Sequence, residues 1–222
     1  MSQLRLYQEL SNEIELVHNS YKKRYKKLVS PKTPKLLVVT KGQNFQKILP
    51  LLSHGHINFG ENKIQEAFTK WPEIKSSFPN IKLHMIGGLQ TNKVKQAVEL
   101  FDVIESLDRM SLAVVLQKEM QRQNKYPELY IQVNIGEEEQ KSGVSPQEAD
   151  EFIQTCRNLG LKISGVMGIA PLAKPPFPYF ALLREIAIHN NIEQISMGMS
   201  NDFGTAIRFG STQVRIGSAI FT

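Results

Sequence analysis

Short apolar runs recur along this chain, and each is followed by a stretch in which apolar positions return at spacings of three and four. The first segment is helical in pattern: Leu6, Leu10, Ile14, Val17, Tyr21, Tyr25 and Leu28 line one face from about Gln3 to Val29, and Ser30-Pro31 ends it. Leu36 to Lys41, LLVVTK, then lacks the alternation of a half-exposed strand and reads as a strand covered on both faces. A helix from about Phe45 to Leu52 follows, then a strand from His56 to Phe59. The next helix is capped by Asn62, runs to about Lys70 and is closed by Trp71-Pro72.

The alternation continues. Ile81 to Ile86 reads as a strand, Asn92 to Leu100 as a helix, Val103 to Glu105 as a strand and Asp108 to Asn124 as a long helix. Leu129 to Ile135 is a fifth strand, opening into the polar, glycine-flanked loop GEEEQKSG, Gly136 to Gly143. Ser145, Pro146 and Glu148 have the spacing of a capping box with proline at the first helical position. Lys162 to Met167, Glu193 to Ser196 and Gln213 to Ile216 complete the strands, with helices ending near His189 and spanning Asp202 to Phe209 between them.

Eight strands alternating with helices imply right-handed parallel crossovers, and no break in composition marks a second domain. The expected fold is α/β, a single (β/α)8 TIM-type barrel spanning residues 1–222, with an extra N-terminal helix covering the gap that a last crossover helix would fill. A chain of 222 residues with 41% apolar content is long enough to bury such a core.

Composition narrows the setting. One cysteine, Cys156, excludes an internal disulfide and sits on the apolar side of a helix with Phe152, Ile153 and Leu159, where it fills core. No apolar run is long enough for a membrane span or a signal peptide, so a cytoplasmic protein without membrane contact is expected. The net charge of +6 raises nucleic acid as a partner. Lys22, Lys23, Arg24, Lys26 and Lys27 alternate with Tyr21, Tyr25 and Leu28 at helical spacing, however, which makes them a solvated helix face; no nucleic acid is expected.

The candidate chemistry lies at the strand ends, where parallel α/β folds bind ligands. Lys41 ends the first strand. Read as chemistry, it is an amine nucleophile whose pKa falls against apolar walls, as imine formation requires; read as structure, it is a charge turned to solvent. After the seventh strand comes SMGMSND (Ser196 to Asp202), and at the end of the eighth RIGS (Arg215 to Ser218), the two places where barrels of this kind hold phosphate. Arg215 lies inside the last strand, either as a buried ion pair or as a donor aimed into the barrel mouth. Together these residues suggest an aldehyde-bearing phosphate held covalently at one end and by its anion at the other. The histidines offer no metal site: His54 and His56 alternate across a strand start, and His18, His84 and His189 lack partners at ligand spacing. Glu137, Glu138 and Glu139 read as a solvated loop, in which Lys141 is a candidate lid residue.

The chain resembles the pyridoxal phosphate homeostasis proteins, barrels similar to the N-terminal domain of alanine racemase. The resemblance runs nearly end to end, through LLVVTK, FGENKIQEA (Phe59 to Ala67), HMIGGLQTNKVK (His84 to Lys95), SLDR (Ser106 to Arg109), QVNIGEEEQKSG (Gln132 to Gly143), GVMGIAP (Gly165 to Pro171), SMGMSNDF (Ser196 to Phe203) and GSTQVRIGSAIF (Gly210 to Phe221). It implies that Lys41 holds pyridoxal 5'-phosphate as an internal aldimine. It also implies that Ser200, Gly217 and Ser218 bind the phosphate, that Arg215 faces the pyridine nitrogen, and that Asn62 and Met85 lie along the ring. Two positions depart from the family: Gly88 stands where His or Pro is usual, and Ser218 where Thr is usual.

A cation beside the pyridine nitrogen disfavours its protonation and weakens the cofactor as an electron sink. Racemases of similar design also draw a tyrosine base from a separate C-terminal domain, and this chain ends at Thr222. The expectation is therefore a non-enzymatic carrier or reservoir in vitamin B6 homeostasis, monomeric, with apo-enzymes requiring pyridoxal phosphate as its partners. The alternative is a racemase-like enzyme.

Overall fold

The computed structural model describes residues 2–221. Eight parallel strands, β1 (Lys35–Val39), β2 (Asn58–Glu61), β3 (Lys82–Met85), β4 (Val103–Leu107), β5 (Glu128–Val133), β6 (Ile163–Gly168), β7 (Gln194–Ser196) and β8 (Gln213–Ile216), pair in chain order and close into a barrel. Closure is made by β8 on β1, with Leu37 opposite Arg215 and Val38 opposite Ile216. Around it lie α1 (Gln3–Arg24), α2 (Phe45–Ser53), α3 (Ile64–Ser77), α4 (Val94–Leu100), α5 (Met110–Gln123), α6 (Ala149–Asn158), α7 (Phe177–His189), α8 (Phe203–Arg208) and the short α9 (Ser218–Phe221). The architecture is the TIM-type barrel with an N-terminal helix that the alternating pattern predicts. α1 packs on α2, α8 and α9, which closes the helical ring where the last crossover would stand.

The strand residues divide by parity, because successive side chains leave a strand on opposite faces. Leu36 and Val38 pack with Phe59, Leu83 and Ile104 in the layer between barrel and helices. Leu37 and Val39 therefore face the barrel axis. Inside, Val103, Tyr130 and Met167 form a separate apolar cluster. The interior also carries a polar group, which belongs to the site.

Several element ends differ from the expected ones. α1 stops at Arg24 because Tyr25 leaves the helix and lies beneath the Arg208 guanidinium, 4.9 Å from its ring centroid. Trp71-Pro72 does not close α3: the helix runs on to Ser77 with Pro72 inside it, because Trp71 and Ile74 both bury against the core. Asn62 does not cap that helix either. Lys63 stands at the N-cap without a side-chain cap bond, so Asn62 stays with the strand end. Ser145 and Glu148 exchange the expected short-range bonds, with the Ser145 hydroxyl donating to Glu148 at 2.5 Å. The regular helix nevertheless begins only at Ala149.

Cys156 is fully buried, and burial pushes its thiol up to about 11. His56 packs edge-on against Phe59 and Tyr7, with one ring nitrogen 3.1 Å from the Tyr7 hydroxyl and the other 2.8 Å from the Asn58 carbonyl. Burial drives its pKa from 6.5 down to about 4, opposed by the Asn58 carbonyl and reinforced by His54. Between those two values the unfolded chain binds a proton that the folded chain refuses, so the stability His56 contributes is present above the unfolded pKa and lost as pH falls toward the folded one. At pH 5 the loss is about 2 kcal/mol. Urea unfolding at pH 7.5 and pH 5 is expected to show His56→Phe losing less stability than the parent by that amount; equal losses in the two proteins would exclude this residue as the source.

Candidate functional site

At the mouth of the barrel the end of β1 turns sharply. The Gln43 N–H donates to the Thr40 carbonyl at 3.0 Å, and Gly42 has φ of +69°, while Lys41 is not among the positive-φ residues. This is a type II turn with Lys41 at its second position and glycine at the third, where φ must be positive. Thr40 faces outward, since its hydroxyl donates to the buried Glu61 at 2.7 Å and Glu61 also accepts from Trp71 of α3. Lys41 consequently leaves on the inward side, in line with Leu37 and Val39. Lys41 is exposed.

Beneath the mouth the barrel interior carries one connected polar group. Glu105 of β4, fully buried, lies 2.6 Å from His84 Nδ1 of β3 and accepts from the Ser196 hydroxyl at 2.6 Å and the Gln213 amide at 2.7 Å. Arg215 donates to Ser196 Oγ at 2.8 Å and to the Gly168 carbonyl at 2.9 Å. Burial works against the charge on Glu105, but the His84 hydrogen bond, the charges of His84 and Arg215, and the Ser196 hydroxyl outweigh it and hold its pKa below the usual carboxylate value. Burial also lowers the pKa of Arg215, with Glu105 and Asp202 opposing. Arg215 is thus neither a direct ion pair nor an unattached donor. Its counter-charge reaches it through one serine.

The loops after β7 and β8 meet. Ser200 and Ser218 bring their hydroxyl oxygens to 3.2 Å, and Met199 is fixed by its N–H to Asp202 at 2.6 Å. Gly217 lies against β1: a Cβ there would stand 2.8 Å from the Val39 carbonyl oxygen, so no other residue fits without moving the strand that carries Lys41. On the other side of β1, the Thr40 N–H donates to the Gly60 carbonyl at 3.0 Å, which sets Asn62 beside Lys41 by continuation of the register. Lys41, Asn62, Gly217, Ser200, Ser218 and Arg215 therefore occupy adjoining strand ends on one sector of the barrel.

Met85 is different. It pairs in register with Glu61 and Ile104, both of which face the helices, and its side chain packs in that layer. Only its backbone reaches the mouth. Across the barrel, a cavity of about 220 Å³ is lined by Ile86, Gly87, Gly88, Gln132, Asn134 and Lys141, where a Cβ at Gly88 would meet only the Ser142 hydroxyl, at 3.8 Å. Lys141 pairs with Glu138, and its ammonium lies 3.5 Å from the Ala170 carbonyl. A cavity of about 610 Å³ between Phe68, Pro72, Val98 and Tyr126 lies on the outer flank and contains none of these residues. Among the described residues no group of His, Cys, Asp and Glu is arranged to hold a metal, and no helix is long and apolar enough to cross a membrane.

Glu105, His84, Ser196 and Gln213 were not expected as site residues. The available signal was parity: His84 alternates with Leu83 and Met85, Ser196 shares its face with Gln194, and Ser196, Gln213 and Arg215 share a face of adjoining strands.

A strand-end lysine beside paired serine loops in a closed parallel barrel defines a barrel of the alanine racemase N-terminal type, and the family model for that domain matches residues 16–222. The chain belongs to the family of the pyridoxal phosphate homeostasis proteins. It is 38% identical to the protein of that name from Haemophilus influenzae over 201 residues, covering 85% of this chain and 84% of the relative. It is 39% identical to the one from Aquifex aeolicus over 173 residues, covering 73% and 75%. Among solved structures, PipY of Synechococcus elongatus with PLP bound superposes with a TM-score of 0.77 at 28% identity, covering 93% of this chain and all of that one.

The interior group sets a testable cost. Glu105→Gln removes the nearer of the two carboxylates that act on the buried Arg215 guanidinium and leaves only Asp202, and unfolding at pH 7 is expected to become easier by about 3 kcal/mol. Because its pKa is lowered on folding, the stability Glu105 contributes is present above the unfolded value of 4.5 and is lost as pH falls through the folded one. The gap between parent and variant, measured by chemical denaturation, should therefore narrow in acid.

Proposed function

We propose that this protein binds pyridoxal 5'-phosphate at the barrel mouth, with Lys41 as the covalent anchor, and serves as a carrier or reservoir in vitamin B6 homeostasis. The observation that carries the reading is the turn at the end of β1, where strand parity continued past Val39 assigns Lys41 to the inward side, one strand from the Ser200–Ser218 hydroxyl pair and above Arg215. The names of the curated relatives and the pyridoxal phosphate in PipY support it.

The residues fit the group. The two hydroxyls and the backbone amides around Gly217 suit phosphate oxygens, and Arg215 supplies a fixed positive donor toward the pyridine nitrogen. Asn62 and the Met85 backbone flank the ring. When bound, the cofactor would supply an electrophilic aldehyde, and Lys41 is the side chain that would hold it covalently. As a positive donor, Arg215 would disfavour protonation of a pyridine nitrogen held beside it, which would make the cofactor a weaker electron sink. That favours storage and release over turnover. We place the activity in the cytoplasm, in a single-domain monomer spanning residues 1–222 that delivers to apo-enzymes requiring the cofactor.

Titration of the purified protein with pyridoxal phosphate is expected to raise a visible absorption band, and borohydride reduction followed by peptide mass mapping should place the label on Lys41. Lys41→Ala should lose both. An unchanged band in the variant would refute the anchor, and multiple turnovers of an amino acid would favour the racemase-like alternative over a carrier.

A further inference from the structure

The turn that carries Lys41 is held from outside the barrel by side chains that lie away from the ligand sector. Lys70 of α3 is the centre. Its ammonium donates to the Thr40 carbonyl at 2.9 Å, to Glu61 Oε1 at 2.9 Å and to Glu66 Oε1 at 2.8 Å, which uses all three of its hydrogens. The same Glu66 oxygen accepts the Gly42 N–H at 2.6 Å. Glu61 Oε1 takes the Thr40 hydroxyl at 2.7 Å and the Trp71 indole N–H at 3.0 Å.

Two of these bonds act on the peptide planes on either side of Lys41. The Thr40 carbonyl belongs to the Thr40–Lys41 peptide, and the Gly42 N–H to the Lys41–Gly42 peptide. With both planes pinned, φ and ψ of Lys41 are set, and so is the direction in which its side chain leaves the backbone. Lys70 and Glu66 are one helical turn apart on a rigid element, so a single face of α3 grips both peptides. The turn hydrogen bond from Gln43 completes the frame.

The arrangement is costly as a device for stability alone. Glu61 is fully buried, its second oxygen has no hydrogen-bond partner, and Lys70 is only 11% exposed. An apolar replacement of such a pair commonly leaves a fold as stable or more so, whereas fixed geometry is what buried ionic groups best supply. Burial also opposes ionisation of Glu66, but the hydrogen bonds from Lys70 and Gly42 and the charges of Lys70 and Lys63 outweigh it and lower its pKa.

We propose that Glu66, Lys70 and Glu61 are positioning residues that hold the Lys41 turn in the geometry needed for covalent capture of pyridoxal phosphate. This rests on the proposed role of Lys41 as the anchor. The triad touches no ligand; it acts through the backbone of the residue that does.

Glu66 gives the cleanest test because its side chain is 30% exposed and its removal leaves the buried pair intact. In Glu66→Ala the Gly42 peptide is released, and the rate at which pyridoxal phosphate becomes attached, followed by visible absorbance and by borohydride trapping, is expected to fall about tenfold or more. The melting temperature of the apo protein should stay within about 4 °C of the parent. Glu66→Gln retains an amide oxygen for the Gly42 N–H and should restore most of the rate, which a role confined to stability would not require. If Glu66→Ala does not fold, Lys70→Arg takes its place: the charge is kept, the three-way geometry is lost, and slower attachment is again expected. Attachment at the parent rate in a folded variant, with the parent label mapped to Lys41, would overturn the positioning role alone. A label mapped to another lysine in the parent would instead remove the anchor on which it rests.

Discussion

A closed parallel barrel has no wet face, and that constraint governs the rest of the molecule. Beyond the exposed strand starts at Lys35 and Lys82, the residues of β1 to β8 point into the helical layer or toward the axis, so a buried polar side chain on either side must be satisfied by other side chains or by backbone. The axis of this barrel meets the demand with one carboxylate, Glu105, on which His84, Ser196 and Gln213 converge from three other strands. Arg215 joins through Ser196 and reaches across to the Gly168 carbonyl, so it ties the ends of β6, β7 and β8 together immediately below the loop that carries Ser200. The position of the guanidinium is a property of the whole group rather than of its own strand.

The outer side of the same wall carries a second polar group around Glu61. The two are separated by the thickness of the sheet, and parity sorts the residues between them: Thr40 turns out to Glu61, Lys41 turns in to the mouth, and one residue further Gly42 is held by Glu66. Gly217 fits this arrangement from the other side. Its missing side chain lets β8 lie flush against Val39, so the strand bearing Lys41 is confined on the β8 side as well as by α3.

Much of this fold is legible in the sequence because the signals involved are local. Runs such as LLVVTK are apolar at both parities, as a strand with two covered faces must be, and the alternation with helical spacings leads to the barrel and its N-terminal helix. Lys41 stands out because a charge ends that run abruptly. Met85 is a different case: in Ile81 to Ile86 the polar Lys82 and His84 alternate with Ile81, Leu83 and Met85, which already groups Met85 with the outward residues, and the register with Glu61 and Ile104 agrees. His84 and Glu105 are 21 residues apart on neighbouring strands, a distance at which no spacing rule operates. Glu66 and Lys70 have the spacing of an ordinary surface pair, and nothing in that pattern announces that their partners are the peptides beside Lys41. Trp71-Pro72 misleads for a related reason, since the burial of Trp71 and Ile74 outweighs a local preference to stop the helix.

Two lysines meet at the end of β1, and the structure divides their work. A nucleophilic amine must be free to approach its ligand, which one donating to two carboxylates and a carbonyl is not. Lys70 is the one so held, 11% exposed and engaged at all three hydrogens. Lys41, two residues beyond the strand, is exposed on the inward side of a turn whose peptides are already fixed. Immobilising the backbone while leaving the side chain accessible gives a reacting amine a defined origin and a flexible reach. A lysine buried within the strand would have gained rigidity at the expense of access, and one on an untethered loop would have gained access without a defined direction.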